Sequence, residues 1–249
     1  MGKETNNLTP RQFYEAVKCI YKQNRIVTNH FGNSSNAERV TRGRSHTASS
    51  QCEDLLAVYI AANIERFSCI HVDQPLTMAI KSKKSEVLYP DISLVVNNAR
   101  GERTITDLID LKTDIGWNRK GFDVFLGDKK EFLCRIRGKT LSVSNSLKRQ
   151  MEHNQKNCGC SELKVSLRCN YHVVVVSEEN AGATPSWGKR RESAEEHEAK
   201  GVYLHTLSSG LHPNEYTRKR GYSGKGSLHH SQFNRLIQHL SCSVQESTN

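Results

Sequence analysis

Two apolar runs, Ile92 to Val96 and Ile105 to Leu111, flank the polar stretch 'NNARGE', and together they constrain this chain more than any other segment. Asn, Gly and charged residues are turn formers, so Tyr89 to Asp114 predicts a β-hairpin with a longer loop. Three of its ionisable residues fall where the two strands would end together. Asp91 opens the first strand, while Asp110 and Lys112 lie two apart near the end of the second, which puts both on one face. A hairpin centred between Arg100 and Gly101 sets position 91 directly opposite position 110. Opposed residues on neighbouring strands have Cβ atoms only about 5 Å apart. Two carboxylates and an ammonium then meet at one end of a sheet otherwise made of Ile, Leu and Val.

Two like charges that close, in a mostly apolar setting, resist joint ionisation. A divalent cation removes the cost. Hard oxygen ligands at this separation suit magnesium, which keeps several waters and commonly takes one or two protein carboxylates plus substrate phosphate oxygens. Lys112, beside such an ion, could position or help deprotonate an attacking water and offset charge on a pentavalent phosphate.

'Pro90-Asp91', then eighteen residues, then 'Asp110-Leu111-Lys112' resembles the bipartite motif of the PD-(D/E)xK nuclease superfamily, the fold of most type II restriction endonucleases. The resemblance spans roughly Ser45 to Leu207 at fold level. It implies a metal bound by Asp91 and Asp110, the backbone carbonyl of Leu111 as a further ligand, and Lys112 as the catalytic lysine. In that superfamily the helix before the catalytic hairpin often carries a Glu that reaches the metal. Glu53 fits this role by order and position; its ordinary alternative is to complement the helix dipole at an N-terminus. The implied cofactor is Mg2+, with Mn2+ able to substitute. The implied fold is α/β: a restriction-endonuclease-like core with a central mixed β-sheet flanked by helices.

A formal charge of +10 and a pI near 9.2 favour a polyanionic partner, nucleic acid before an acidic membrane. No apolar run approaches the roughly 20 residues that span a bilayer, and 'MGKETNNLTP' carries neither the apolar core of a signal peptide nor the hydroxyl expected of a myristoylation site. A cytoplasmic protein is the expectation. At 249 residues the chain reads as one domain, with an N-terminal helix over 9–24, a core over about 45–207 and a basic C-terminal segment over 208–249.

In 'TPRQFYEAVKCIYKQN' Thr9 can cap and Pro10 suits the first turn, with Phe13, Val17, Ile20 and Tyr21 at helical spacing. Arg25 to Ser50 then reads as a long basic loop whose Arg42 and Arg44 would lie along a phosphate backbone, unless it is simply a solvated linker. 'SHTASSQCEDLLAVYIAANIERF' predicts a helix with a Ser or Thr cap and a stripe of Leu55, Leu56, Tyr59, Ile60 and Ile64. 'IHVDQPLTMAI' predicts the first strand of the sheet, ahead of the hairpin. Past the hairpin, Asn118, Arg119 and Lys120 adjoin Trp117, a combination suited to nucleic acid, although the Trp could equally anchor the loop in the core.

The periodicity of Phe122 to Arg137 leaves helix and strand pair both open, while 'NSLKRQMEHNQKN' is more helical. 'YHVVVVSEEN' is the pattern of a strand buried on both faces; a charged helix in 'KRRESAEEHEAK' and a last strand in 'GVYLHTLSS' follow. In the tail, Arg218, Lys219 and Arg220, interleaved with Tyr and Gly, favour DNA contact over a plain charged loop. 'SQFNRLIQHLSC' predicts a closing helix, and 'SVQESTN' is expected to fray.

Eight cysteines include five scattered ones, Cys19, Cys52, Cys69, Cys134 and Cys242, expected as buried free thiols. His153, Cys158, Cys160, Cys169 and His172 could supply a structural zinc site, but Cys-x-Cys followed by Cys-x2-His matches no common finger, so zinc is the less favoured reading. No G-x-S-x-G elbow appears, and 'SGKGS' lacks phosphate-loop spacing. The sequence therefore points to a magnesium-dependent endodeoxyribonuclease acting on double-stranded DNA. A type II restriction endonuclease is favoured, and a palindromic target would imply a homodimer. The alternatives are a repair, resolvase or phage-processing nuclease of the same fold, and a non-catalytic DNA-binding protein whose acidic cluster is structural.

Overall fold

The computed structural model describes residues 7–32, 48–79, 85–97, 101–113, 122–143, 162–178, 194–210 and 227–248. Its centre is an eight-stranded mixed sheet. The hairpin supplies two adjacent strands, β4 (Ile92–Asn97) and β5 (Arg103–Lys112), paired antiparallel. β1 (Cys69–Val72) extends the antiparallel side along β4. On the other side β5 runs parallel to β7 (Glu162–Val175), and β7 runs parallel to β8 (Val202–Thr206). The remaining strands, β2 (Leu76–Met78), β3 (Glu86–Leu88) and β6 (Thr140–Val143), continue the sheet antiparallel from the first half of β7. β9 (Ser208–Ser209) and β10 (Ser227–Leu228) form a separate short ladder.

Helices cover both faces. α3 (Phe122–Ile136), together with Ala194 of a short helical segment over 194–198, packs on the core built by Val95, Leu108, Tyr171, Val173 and Leu204. α1 (Pro10–Gly32), α2 (Ser49–Asn63) and the C-terminal α4 (His230–Thr248) pack on the opposite face, against Ile92, Leu94, Ile109, Val174 and Val176. The four consecutive valines that end β7 and run one residue past it, Val173 to Val176, alternate between these two cores, which is why a continuous apolar run is needed there. Phe13, Tyr59 and Phe233 meet edge-to-face with ring centroids 5.4–5.7 Å apart and join the three helices of the second face.

Several local expectations are met in detail. Thr9 caps α1 through its Oγ1, which accepts from the Gln12 amide N–H at 3.2 Å, while Gln12 Oε1 accepts the Thr9 amide N–H at 2.9 Å, a reciprocal capping box. The helical alternative holds for Phe122–Ile136.

Others need correction. α1 runs on to Gly32, so the segment after Arg25 begins as helix rather than loop. α2 starts after Ala48, with no side-chain cap from the available Ser and Thr, and Leu55 of the expected stripe is only half-buried. 'IHVDQPLTMAI' yields two strands, not one, because Asp73 takes a left-handed φ of 47° and Pro75 follows. The chain therefore leaves the edge beside β4 and joins the far side of the sheet. β7 starts at Glu162, well before the valines. α4 continues to Thr248 through the stretch expected to fray. Of the scattered cysteines only Cys52 is buried; Cys69 is half-buried, and Cys19, Cys134 and Cys242 are exposed on helices. The helix expected in 'NSLKRQMEHNQKN' lies outside the described residues. No helix among the described residues is long and apolar enough to cross a membrane.

Because three helices share the aromatic contact, truncating its C-terminal member should be felt globally. Phe233→Ala is expected to lower the unfolding free energy by about 3–5 kcal/mol. Urea denaturation followed by circular dichroism measures it. A loss below about 1 kcal/mol would mean that α4 is not part of the common core.

Candidate active site at the open end of the hairpin

The β4–β5 ladder pairs Ile92 with Ile109, so the next pair outward is Asp91 with Asp110, although the turn itself is centred on Arg100 rather than between Arg100 and Gly101. Next to the turn Asn97 pairs with Arg103, a register centred on Arg100 that would set Asp91 against Ile109; the bulge between Leu94 and Val95, with Thr106 as the extra residue of β5, brings Asp91 opposite Asp110 instead. Alternation sends Asp110 and Lys112 to the face that α3 covers, with Leu108, while Ile109 and Leu111 face the other core. Asp91 sits in a bend after Pro90, and its carbonyl accepts the Asp73 amide N–H at 2.7 Å. The left-handed turn at Asp73 thus anchors the strand start that carries the first carboxylate.

Asp91 Oδ2 accepts the amide N–H of Leu111 at 2.7 Å. Since the N–H and C=O of one strand residue point to the same side, the Leu111 carbonyl also projects past the end of β4 toward Asp91. Lys112 Nζ donates to Asp110 Oδ1 and stands 3.8 Å from Asp91 Oδ2. Asp110 is only 4% exposed. Its second oxygen is held at 2.7 Å by Lys129 of α3, a residue that the sequence reading did not single out. Lys129 in turn lies between two rings, 5.0 Å from the Phe125 centroid and 4.9 Å from the Tyr171 centroid.

These contacts split the two carboxyl groups. Burial, then the hydrogen bond and charge of Asp110, push Asp91 up to about 7, against the opposing pull of Lys112 and the Leu111 N–H. For Asp110, burial also acts upward, but Lys129 and Lys112 outweigh it and hold the carboxyl below its ordinary range. Glu53, in the first turns of α2, belongs to the same electrostatic neighbourhood: burial raises its pKa first, then Asp73, with Asp54 and Asp110 adding and Lys112 opposing. Burial, helped by Asp110 and Asp91, pushes the Tyr171 phenol well above its ordinary value. A buried, like-charged carboxylate pair with one member half-protonated near neutrality has the electrostatic shape of a cation site. Two carboxylates and a carbonyl on the same edge form an all-oxygen donor set, which fits a hard divalent ion, and Glu53 lies close enough for the charge of Asp110 to act on it.

Asp91, Asp110, Leu111 and Lys112 are therefore brought together, with Glu53 near them. Arg42, Arg44, Asn118, Arg119, Lys120, Arg218, Lys219 and Arg220 lie outside the described residues, as do Trp117 and Asp114. So do His153, Cys158 and Cys160; of that cluster, Cys169 is buried in the α3-side core and His172 on the opposite face, so those two do not converge. Neither the protein-family models nor the curated proteins compared with this chain gave a match.

The raised Asp91 pKa has a sign that can be measured. The folded chain holds this proton more tightly than the unfolded one, so its contribution to stability is full below pH about 4 and is lost as pH rises through about 7. In chelator, Asp91→Asn should therefore gain in melting temperature relative to the unsubstituted protein as pH rises from about 4 to about 8. A gap that stays constant across that range contradicts the assignment.

Proposed function

We propose that the chain is a magnesium-dependent endodeoxyribonuclease of the PD-(D/E)xK type, hydrolysing phosphodiester bonds in double-stranded DNA. The carrying observation is the convergence at one strand end of Asp91, Asp110 and Lys112, with the Leu111 N–H donated to Asp91 at 2.7 Å. The element order supports it: α2, the antiparallel β1–β4–β5 unit, α3, and then β7 and β8 parallel to β5. With β2, β3 and β6 taken as additions, this is the order expected of a restriction-endonuclease-like core. The net charge of +10 favours a polyanionic substrate.

In this reading Asp91, Asp110, the Leu111 carbonyl and Glu53 hold Mg2+, which when bound supplies charge stabilisation to the phosphoryl oxygens and acidifies water. Mn2+ has the same ligand preference. Lys112 would exchange its bond to Asp110 for one donated to the oxygen of the attacking water, which it positions, and its charge offsets that of the pentavalent phosphate. Lys129 keeps Asp110 ionised and fixed through Oδ2. Water adds to phosphorus and passes a proton to solvent, while the bond to the leaving sugar oxygen breaks and that oxygen takes a proton from solvent. A type II restriction enzyme is the favoured role, acting as a homodimer on a palindromic site; a repair, resolvase or phage-processing nuclease would use the same groups.

One observation favours a second reading. Lys112 and Lys129 already neutralise Asp110. A DNA-binding protein with a purely structural cluster would need no metal. Plasmid cleavage with and without Mg2+ separates the two. Asp110→Ala should reduce cleavage by on the order of 10³-fold or more while leaving DNA retention in a gel shift largely intact. Cutting retained in the variant removes the assignment. Discrete fragments from the unsubstituted protein indicate restriction, cutting confined to branched or damaged DNA indicates repair, and binding without cutting indicates the structural cluster.

A further inference from the structure

The face of the sheet that α4 covers carries a second polar cluster, which the nuclease reading does not use. Asp107 of β5, His172 of β7, His205 of β8 and His239 of α4 meet there, the first three essentially without solvent contact. We propose that His172, His205 and His239 form a binding site for a divalent first-row transition metal of the zinc type, separate from the carboxylate site on the opposite face.

One ring nitrogen from each of the three histidines lies within 4.8 Å of one from each of the others. Nitrogens bound to one tetrahedral ion at about 2.0–2.1 Å stand roughly 3.3 Å apart, so small rotations close the triad. His172 Nδ1 and His205 Nε2 are already 3.1 Å apart. Behind His172 stands the support that a metal-bound imidazole ordinarily has. Its Nε2 lies 3.1 Å from Asp107 Oδ1, Ser243 Oγ donates to the same oxygen at 2.9 Å, and Asn170 Nδ2 donates to Ser243 Oγ at 3.0 Å. With Nε2–H donating to that carboxylate, Nδ1 keeps its lone pair, on the side that faces His205.

The cluster also holds polar atoms that the described residues leave unpaired. His205 Nδ1, His239 Nδ1 and Asp107 Oδ2 are buried with no hydrogen-bond partner among the described residues. Burial lowers the pKa of His205 well below the ordinary value and that of His239 to about 4, so both rings are neutral and able to ligate. Access is available too. His239 and Tyr203 line a cavity of about 400 Å³, together with Asn170, Cys242 and Ser243. The donor set selects the metal class: three imidazoles suit zinc, nickel or copper, and magnesium, which demands oxygen, belongs to the other face. The ordinary alternative is a hydrogen-bonded trio that only pins α4 to the sheet, and it predicts no metal affinity.

Calorimetric titration of the full chain, stripped with chelator, with Zn2+ and the visible spectrum of its Co2+ form test the proposal. One ion per chain is expected at this site. His239→Ala should weaken that binding by at least about 100-fold, and Asp107→Asn, which changes only the group behind His172, by about 10- to 100-fold. Asp110→Asn, on the other face, should leave it unchanged. His239 is partly exposed on a helix, so its variant should fold; circular dichroism checks this, and His239→Gln replaces it if it does not. The proposal is overturned if the unsubstituted protein binds neither ion. It is equally overturned if binding survives both His239 variants and disappears in a Cys158→Ser, Cys160→Ser double variant.

Discussion

A carboxylate buried among valines and leucines is the constraint around which this molecule is arranged. Asp110 sits in the central strand of a mixed sheet with almost no access to water, where an unpaired charge would be very costly. The chain answers with two ammonium groups, Lys112 from the same strand and Lys129 from the helix packed above it. Removing either lysine would leave the other to balance the charge alone. Asp91, pressed against the same pair, is left as the group whose ionisation is contested. On the proposed nuclease reading, a divalent cation entering between the two carboxylates would release a lysine for the attacking water.

The sheet makes that arrangement by its mixed direction. The antiparallel register of β4 with β5 sets Asp91 against Asp110, while the parallel register of β5 with β7 brings α3, on the crossover, down onto the face where Asp110 emerges. Lys129 can reach Asp110 only because a helix intervenes between two parallel strands. The same pleat sends Asp107 to the opposite face, where β7, β8 and α4 contribute histidines. One strand thus contributes to two polar clusters, carboxylates with lysines on one face and a carboxylate with imidazoles on the other.

How much of this the amino-acid order reveals depends on distance along the chain. The Asp91–Asp110 opposition is present in the structure, but the turn centred on Arg100 would miss it by one residue, and a β-bulge at Thr106 with no local sequence signature restores it. The Thr9 cap and the buried valines are local features. Lys129 was not legible, because the periodicity of Phe122 to Arg137 did not settle its element and its partner lies across a crossover. The histidine cluster joins residues from two strands and a helix that are far apart in sequence, and no spacing rule relates them. His172 was weighed instead with nearby cysteines, and Cys169 then turned out to face the other core. The split of 'IHVDQPLTMAI' into two strands also escaped local reading, since a positive φ at an aspartate has weak sequence signature.

The account turns on whether the two aspartates share an ion. Anomalous difference maps from crystals soaked in Mn2+ test this most directly. The account predicts a single peak in this region, contacting carboxylate oxygens of both Asp91 and Asp110, with the Lys112 ammonium moved off Asp110. Maps in which the region is featureless and Lys112 remains clamped on Asp110 would contradict it.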